Sequence, residues 1–193
     1  MHYLYSKQSS LRNFVINSNE VSFDNLVFEK CISLINVQIL SSISTFKNGT
    51  FYGCEKINKI KLPSNIKYLG AETFFNCQNL KEINLPPTLE IIEKNFFYNC
   101  RSLVKLAIPS TVRKIGDYSF SNCQNLQKIT LSSNLSYFGN SVFNNCSSLK
   151  ELIVPFYVYI KMMSENLQGF PKDIHYTFCR STCAISSSNI FPI

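Results

Sequence analysis

The segment that decides the fold is FFNCQNLKEINLPPTLEIIEKNFFYNCRSLVKLAIP (74–109), which contains one pattern twice, first around Cys77 and again around Cys100. In each copy a phenylalanine stands three residues before the cysteine, and apolar residues stand three, six and eight residues after it. A period of about 20 to 50 residues is typical of repeat proteins, in which each copy forms one structural unit and neighbouring units share a core.

The same pattern recurs in register along most of the 193-residue chain. The repeated cysteines are Cys31, Cys54, Cys77, Cys100, Cys123 and Cys146. The phenylalanines are Phe28, Phe51, Phe74, Phe97, Phe120 and Phe143. A weaker copy begins near Tyr5, and the frame fails after Val158. We therefore predict a repeat array over residues 1–160, with a degenerate first repeat at 5–27 and regular repeats at 28–160, followed by a C-terminal cap and tail at 161–193.

Within one repeat the apolar spacing changes along the chain. The alternating apolar pair six and eight residues after each cysteine predicts one strand per repeat, as in KEINL (81–85), and stacked copies make these strands parallel. A second short extended piece follows, as in NIKYLG (65–70). The apolar residues of AETFFNC (71–77) lie three apart, which predicts a helical or 3₁₀ turn. Gly70, Gly116 and Gly139 share one repeat position and are predicted to turn the chain.

Two segments carry a resemblance to a known family. FNNCSSLKELIVP (143–155) and VRKIGDYSFSNC (112–123) resemble the leucine-rich repeats, most closely the 23-residue BspA-like subclass, and the likeness covers roughly residues 5–160. The resemblance implies an α/β solenoid that coils right-handedly, with one parallel strand per repeat and short helical turns. It also implies a protein without enzymatic activity that binds a protein or a surface. Members are often cell-surface proteins used in adhesion.

The six repeated cysteines are predicted to form a buried column of free thiols. Equivalent residues on neighbouring coils lie about 4.8 Å apart, and parallel Cβ vectors keep their Cβ atoms beyond the roughly 3.8 Å typical of a disulfide. Bridges or metal binding are the alternatives, although none of these six cysteines has the paired spacing of a zinc site. Cys179 and Cys183 lie outside the array and could form a local bridge in an oxidising environment.

The candidate binding site is the outward face of the predicted strands, because repeat proteins usually bind through such a surface. Lysines recur there, namely Lys59, Lys61, Lys81, Lys105, Lys128 and Lys150. With a formal net charge of +7, this pattern favours an acidic protein, an acidic glycan or an anionic membrane. The alternative is a solvated sheet face whose lysines prevent aggregation. Tyr68 and Tyr137 are not interleaved with these lysines, which argues against nucleic acid.

Other functions find little support in the sequence. His2 and His175 lie outside the array, and no phosphate-binding or metalloprotease motif is present. We therefore expect no enzyme, cofactor or metal. No apolar stretch is long enough to span a membrane, and the N-terminus lacks the pattern of a secretory signal. The protein is cytosolic, leaves the cell by another route, or is a fragment. A weak N-terminal cap makes a self-associating structural protein the alternative function.

Overall fold

The repeats stack as a parallel β-solenoid of about six turns. The structure, a computed structural model, describes residues 5–17, 22–39, 43–164 and 174–178. Its elements in chain order are β1 Asn13–Ile16, β2 Ser22–Phe23, β3 Asn36–Ile39, β4 Thr45–Phe46, β5 Lys59–Ile60, β6 Tyr68–Leu69, β7 Glu82–Ile83, β8 Ile91–Ile92, β9 Lys105–Ala107, β10 Lys114–Ile115, β11 Lys128–Thr130, β12 Tyr137–Phe138, β13 Glu151–Val154, α1 Phe156–Ser164 and β14 His175–Phe178.

The odd-numbered strands form one side of each coil and confirm the predicted parallel strand. Lys105 lies opposite Lys128, and Lys128 lies opposite Glu151, so each step along this row advances the chain by one repeat. Leu106 and Ile129 face inward and are buried, while the residues before them are exposed. The alternation follows from strand geometry, in which successive side chains point to opposite faces. The sequence period therefore becomes a set of side-chain columns.

The even-numbered strands form a second side and correspond to the predicted second extended piece. Each even-numbered strand from β2 to β12 has two residues, of which the second is buried. Ile91, Lys114 and Tyr137 are register partners across β8, β10 and β12, one from each of three successive repeats. The strands are short because the chain turns soon after each one.

The third side of each coil consists of turns, and helical turns are a minor feature of the fold. Residues with positive φ, such as Glu72 at 61° and Asn76 at 59°, prevent a continuous right-handed helix there. The amide of Phe74 donates to the carbonyl of Phe96 in the next coil at 3.0 Å. Backbone hydrogen bonds thus connect neighbouring coils on this side too. In a helix these groups would instead bond to one another along the helix axis.

Aromatic and apolar columns fill the interior. The six repeated phenylalanines are at most 1% exposed. Their rings stack in sequence with centroids 5.4 to 5.6 Å apart, and Tyr5 stacks on Phe28 at the N-terminal end. Offset stacking at this spacing is favourable. The predicted phenylalanine column is therefore present, and it links every coil to its neighbours.

The three repeated glycines have a role that was not predicted. None of them has the positive φ of a turn glycine. A Cβ on Gly139 would instead lie 2.5 Å from the backbone nitrogen of Asp117 and 2.6 Å from the carbonyl carbon of Gly116. Glycine at this position therefore allows close approach of two coils, and its part in turning the chain stays a prediction.

The strand row continues past the point where the sequence frame fails. β14 pairs with β13 in parallel, and His175 lies opposite Glu151, one position later than the repeat frame requires. α1 lies between these strands in the chain, and Tyr159 on it packs edge-on against Tyr176 with ring centroids 4.9 Å apart. One extra residue and an intervening helix conceal this last strand from the repeat pattern. The domain boundary at residue 160 stays a prediction.

Candidate partner-binding surface

The outward side chains of the odd-numbered strands and β14, with the residues that directly flank each strand, form one surface, which we name the strand face. All six predicted lysines lie on it and are exposed. Lys59, Lys105 and Lys128 begin β5, β9 and β11. Lys61 follows β5, while Lys81 and Lys150 immediately precede β7 and β13. The strand register therefore brings together lysines that are far apart in the sequence.

Two glutamates lie among the lysines of the strand face, and each forms an ion pair with one of them. The Lys59 ammonium is hydrogen-bonded to the Glu82 carboxylate in the next coil. The Lys128 ammonium lies 2.6 Å from a carboxylate oxygen of Glu151. The hydrogen bond and charge of Lys59, with a smaller contribution from Lys105, lower the pKa of the Glu82 carboxyl group. Both pairs join residues that the coil-to-coil register places opposite each other.

The remaining lysines face solvent without such a partner. Within the described part of the chain, no carboxylate lies within 4.0 Å of the ammonium groups of Lys61, Lys81, Lys105 or Lys150. Exposed ion pairs contribute little to stability, at most about 1 kcal/mol. The lysines are thus free to exchange a neighbouring glutamate or water for an anionic ligand.

The repeated cysteines form the predicted buried column, and all six are free thiols. Each thiol donates a hydrogen bond to a carbonyl oxygen 26 residues earlier, at 3.0 to 3.2 Å. The acceptor is Tyr5 for Cys31 and the repeated phenylalanine of the preceding coil for the others. Burial raises the pKa of Cys146 to about 12. These protonated thiols serve packing and are poor nucleophiles or metal ligands.

Other candidates for chemistry contribute less. Cys179, Cys183 and His2 lie outside the described residues. His175 is exposed on β14 at the end of the strand face. Where the chain is described, no three histidine, cysteine or acidic side chains are placed to hold a metal ion. The helices of that part include none that is long and apolar enough to cross a membrane.

An aromatic ladder on the turn side escaped the sequence analysis. Tyr52, Phe75 and Tyr98 occupy one repeat position and are half-buried. Their rings stack with centroids 4.6 and 4.8 Å apart and interplanar angles of 2° and 6°. Only three of the repeats carry an aromatic residue there, so the position does not stand out as a column. The 23-residue spacing of these three aromatic residues was the signal in the sequence that could have revealed the ladder.

Beside this ladder runs a row of asparagines in the left-handed backbone region. Asn76, Asn99, Asn122 and Asn145 all have φ between 58° and 62°. The side-chain amide of Asn145 donates to that of Asn122 at 3.0 Å, and Asn99 donates likewise to Asn76. Asparagine tolerates this conformation better than most residues, which explains the repeated Asn-Cys dipeptide.

The stacked strands, repeated core columns and coil-by-coil register together define a leucine-rich repeat solenoid. The family model described as "BspA type Leucine rich repeat region" matches residues 1–95 and 45–164 in six copies. The chain belongs to this family, which confirms the resemblance seen in the sequence. Comparison with curated proteins gives no match.

Solved structures with the same fold come from bacteria. A leucine-rich repeat protein from Bacteroides ovatus ATCC 8483 is 23% identical with a TM-score of 0.69, over 89% of this chain and 43% of that one. A leucine-rich repeat protein of T. pallidum is 24% identical with a TM-score of 0.62, over 83% of this chain and 86% of that one. The present chain thus spans less than half the length of the B. ovatus protein. At these identities the likeness shows the fold alone.

Proposed function

We propose that this chain is a non-enzymatic binding module whose strand face recognises a protein or polyanionic surface partner, with adhesion as its role. The observation that carries the proposal is the exposure of all six strand-face lysines on one side of a regular scaffold. Leucine-rich repeat families are generally non-catalytic, and their domains generally mediate protein interactions. Both points support a binding function over catalysis.

Electrostatics supports an acidic partner. The strand face between residues 58 and 153 carries six lysines and two glutamates. Its net positive charge attracts an acidic surface and raises the rate of encounter. Nucleic acid is a poorer candidate, because the exposed rings of Tyr68 and Tyr137 belong to the even-numbered strands and leave the strand face without a stacking platform.

The test compares two variants of equal charge on a heparin column. Lys59, Lys61, Lys105 and Lys128 become glutamine in the first variant, and Lys56, Lys67, Lys94 and Arg113, which are exposed on other sides, become glutamine in the second. We expect the first to elute at clearly lower salt than the second. Equal elution of the two variants would mean that only total charge matters and would remove the strand face as the binding site.

A second candidate function is self-association through the N-terminal edge. Val15 on β1 is 52% exposed, and Tyr5, Leu11 and Phe14 are partly buried hydrophobic residues beside the core. An exposed strand edge with apolar neighbours can pair with another chain. Light scattering over a range of concentrations tests this candidate: a molecular mass that rises with concentration supports self-association, and a constant monomer mass contradicts it.

A further inference from the structure

We propose that the partner of the strand face is a linear sulfated glycan that lies along the solenoid axis. This inference rests on the function proposed above and specifies its ligand. The observation behind it is a lysine track, defined as Lys59, Lys81, Lys105, Lys128 and Lys150, which supplies one lysine from each of five consecutive coils.

The strand register places the lysines of the track close to one line, with Lys81 and Lys150 one residue before the row that Lys59, Lys105 and Lys128 share. Lys105 and Lys128 are direct register partners, and Lys59 is the register partner of Glu82, the residue after Lys81. Lys150 likewise precedes Glu151, which lies opposite Lys128. Neighbouring strands lie about 4.8 Å apart, so the five lysines span about 19 Å along the axis. The track is long and narrow, with Lys61 beside Lys59 at one end, and this shape suits a chain better than a globular surface.

Short side chains border the central part of the track, between Lys61 at one end and Ile153 at the other, and leave it accessible. Asn84, Ala107 and Thr130 stand on the same face, two residues after Glu82, Lys105 and Lys128 respectively. None of them reaches as far as a lysine ammonium. A ligand chain can therefore lie against the sheet beside the lysines and contact several ammonium groups at once.

The spacing of the charges favours a glycan over an acidic peptide. An extended peptide places side chains on one side every ~6.8 Å, which falls out of step with lysines ~4.8 Å apart within a few residues. A sulfated glycan carries sulfate and carboxylate groups along both edges of the chain. Its anionic groups can meet the lysines without a matching repeat, as polyelectrolytes do when they bind by counterion release.

The two strand-face glutamates would then restrain binding. Glu82 engages Lys59, and Glu151 engages Lys128, so a glycan must displace both carboxylates to use the whole track. Removing the glutamates should strengthen binding even though two ion pairs are lost. A solvated, non-functional face predicts no effect of these substitutions on glycan binding beyond that of the added net charge.

The experiment is a calorimetric titration of the full chain with heparin oligosaccharides of increasing length. Affinity should rise with length until a fragment covers about 19 Å, and then level off. Lys81, Lys105 and Lys150→Gln should weaken binding of the long fragment roughly tenfold and lower the salt slope by about three. The control variant with Lys56, Lys67 and Lys94→Gln should change the affinity for the long fragment by less than about twofold. Circular dichroism confirms that each variant is folded.

Further arms separate this inference from the broader function. Glu82 and Glu151→Gln should raise affinity for the long fragment roughly threefold, a change of about 0.65 kcal/mol. A control that removes Glu72 and Glu90, on other sides of the coil, should raise it less. Face-dependent elution from the heparin column without any dependence on fragment length would overturn the linear ligand and leave the binding function standing. Stronger binding to polyglutamate or to phosphatidylserine vesicles than to heparin would also overturn it.

Discussion

The stacked aromatic columns make a quantitative prediction, because Phe74 and Phe75 are adjacent in sequence yet belong to different columns. Phe74 is fully buried and stacks between Phe51 and Phe97 at 5.6 and 5.4 Å. Replacing a buried phenylalanine by alanine costs about 3–5 kcal/mol, because transfer energy is lost and a cavity remains. We therefore expect Phe74→Ala to lower the free energy of unfolding by that amount.

Phe75→Ala is the matched control. Its ring also stacks on two neighbours, Tyr52 and Tyr98, but at the half-buried surface of the turn side. Solvent can fill the space that the ring leaves, so we expect a loss of about 1–2 kcal/mol, mostly from the two stacking contacts. Urea unfolding followed by far-ultraviolet circular dichroism measures both variants. Equal losses for the two would refute the assignment of one column to the core and the other to the surface.

Three further changes test other parts of the structure. Unfolding free energy should fall above about pH 9, because the buried Cys146 keeps its proton up to about pH 12 whereas the unfolded thiol releases it; in Cys146→Ala, urea melts at pH 8 and pH 10 should differ by about 1.4 kcal/mol less than in wild type, and an unchanged difference would contradict thiol burial. Gly139→Ala should lower stability by about 1–3 kcal/mol because the new Cβ meets backbone of the preceding coil; an unchanged thermal midpoint would contradict that close approach. Asn99→Ala should cost more than Asn99→Gly in the same thermal melts, because glycine keeps the left-handed conformation at φ 62° without strain; the reverse order would show that the amide ladder dominates.

The sequence predicted the coil because each buried column repeats one chemical type. Cys77, Cys100 and their equivalents fix the period, and the apolar residues six and eight positions later fix the strand. Replacing one residue of a column by a different type would lower stability, because the core is close-packed. This is why the strand positions, the phenylalanine column and the free buried thiols followed from spacing alone.

The turn side was harder to predict because its geometry depends on backbone conformation. Apolar residues three apart, such as Phe74 and Cys77, fit both a helical turn and the observed series of turns. The difference lies in the positive φ of Glu72 and Asn76. Asparagine signals such a conformation, but glutamate does not. The role of Gly139 was missed for a related reason, since glycine permits both a turn and a close approach.

The candidate site was only partly visible in the sequence. The positions of the six lysines followed from the strand pattern, but the pairing of Lys59 with Glu82 required the register between coils. β14 was missed because a helix and a step one residue longer than the repeat precede it. Neither feature changes the composition of the strand, so the repeat period alone does not reveal β14.

The most direct test of the account measures distances along the strand face by pulsed electron paramagnetic resonance. Each double variant carries one nitroxide-labelled cysteine in place of Asn36 and a second in place of Lys105, Lys128 or Glu151. Cys179 and Cys183 are replaced by serine. The native array thiols are buried and stay unlabelled. In-register stacking predicts distances that increase evenly, at about 14, 19 and 24 Å for three, four and five coils. Distances that fail to increase in this order would contradict one coil per repeat and, with it, the lysine track.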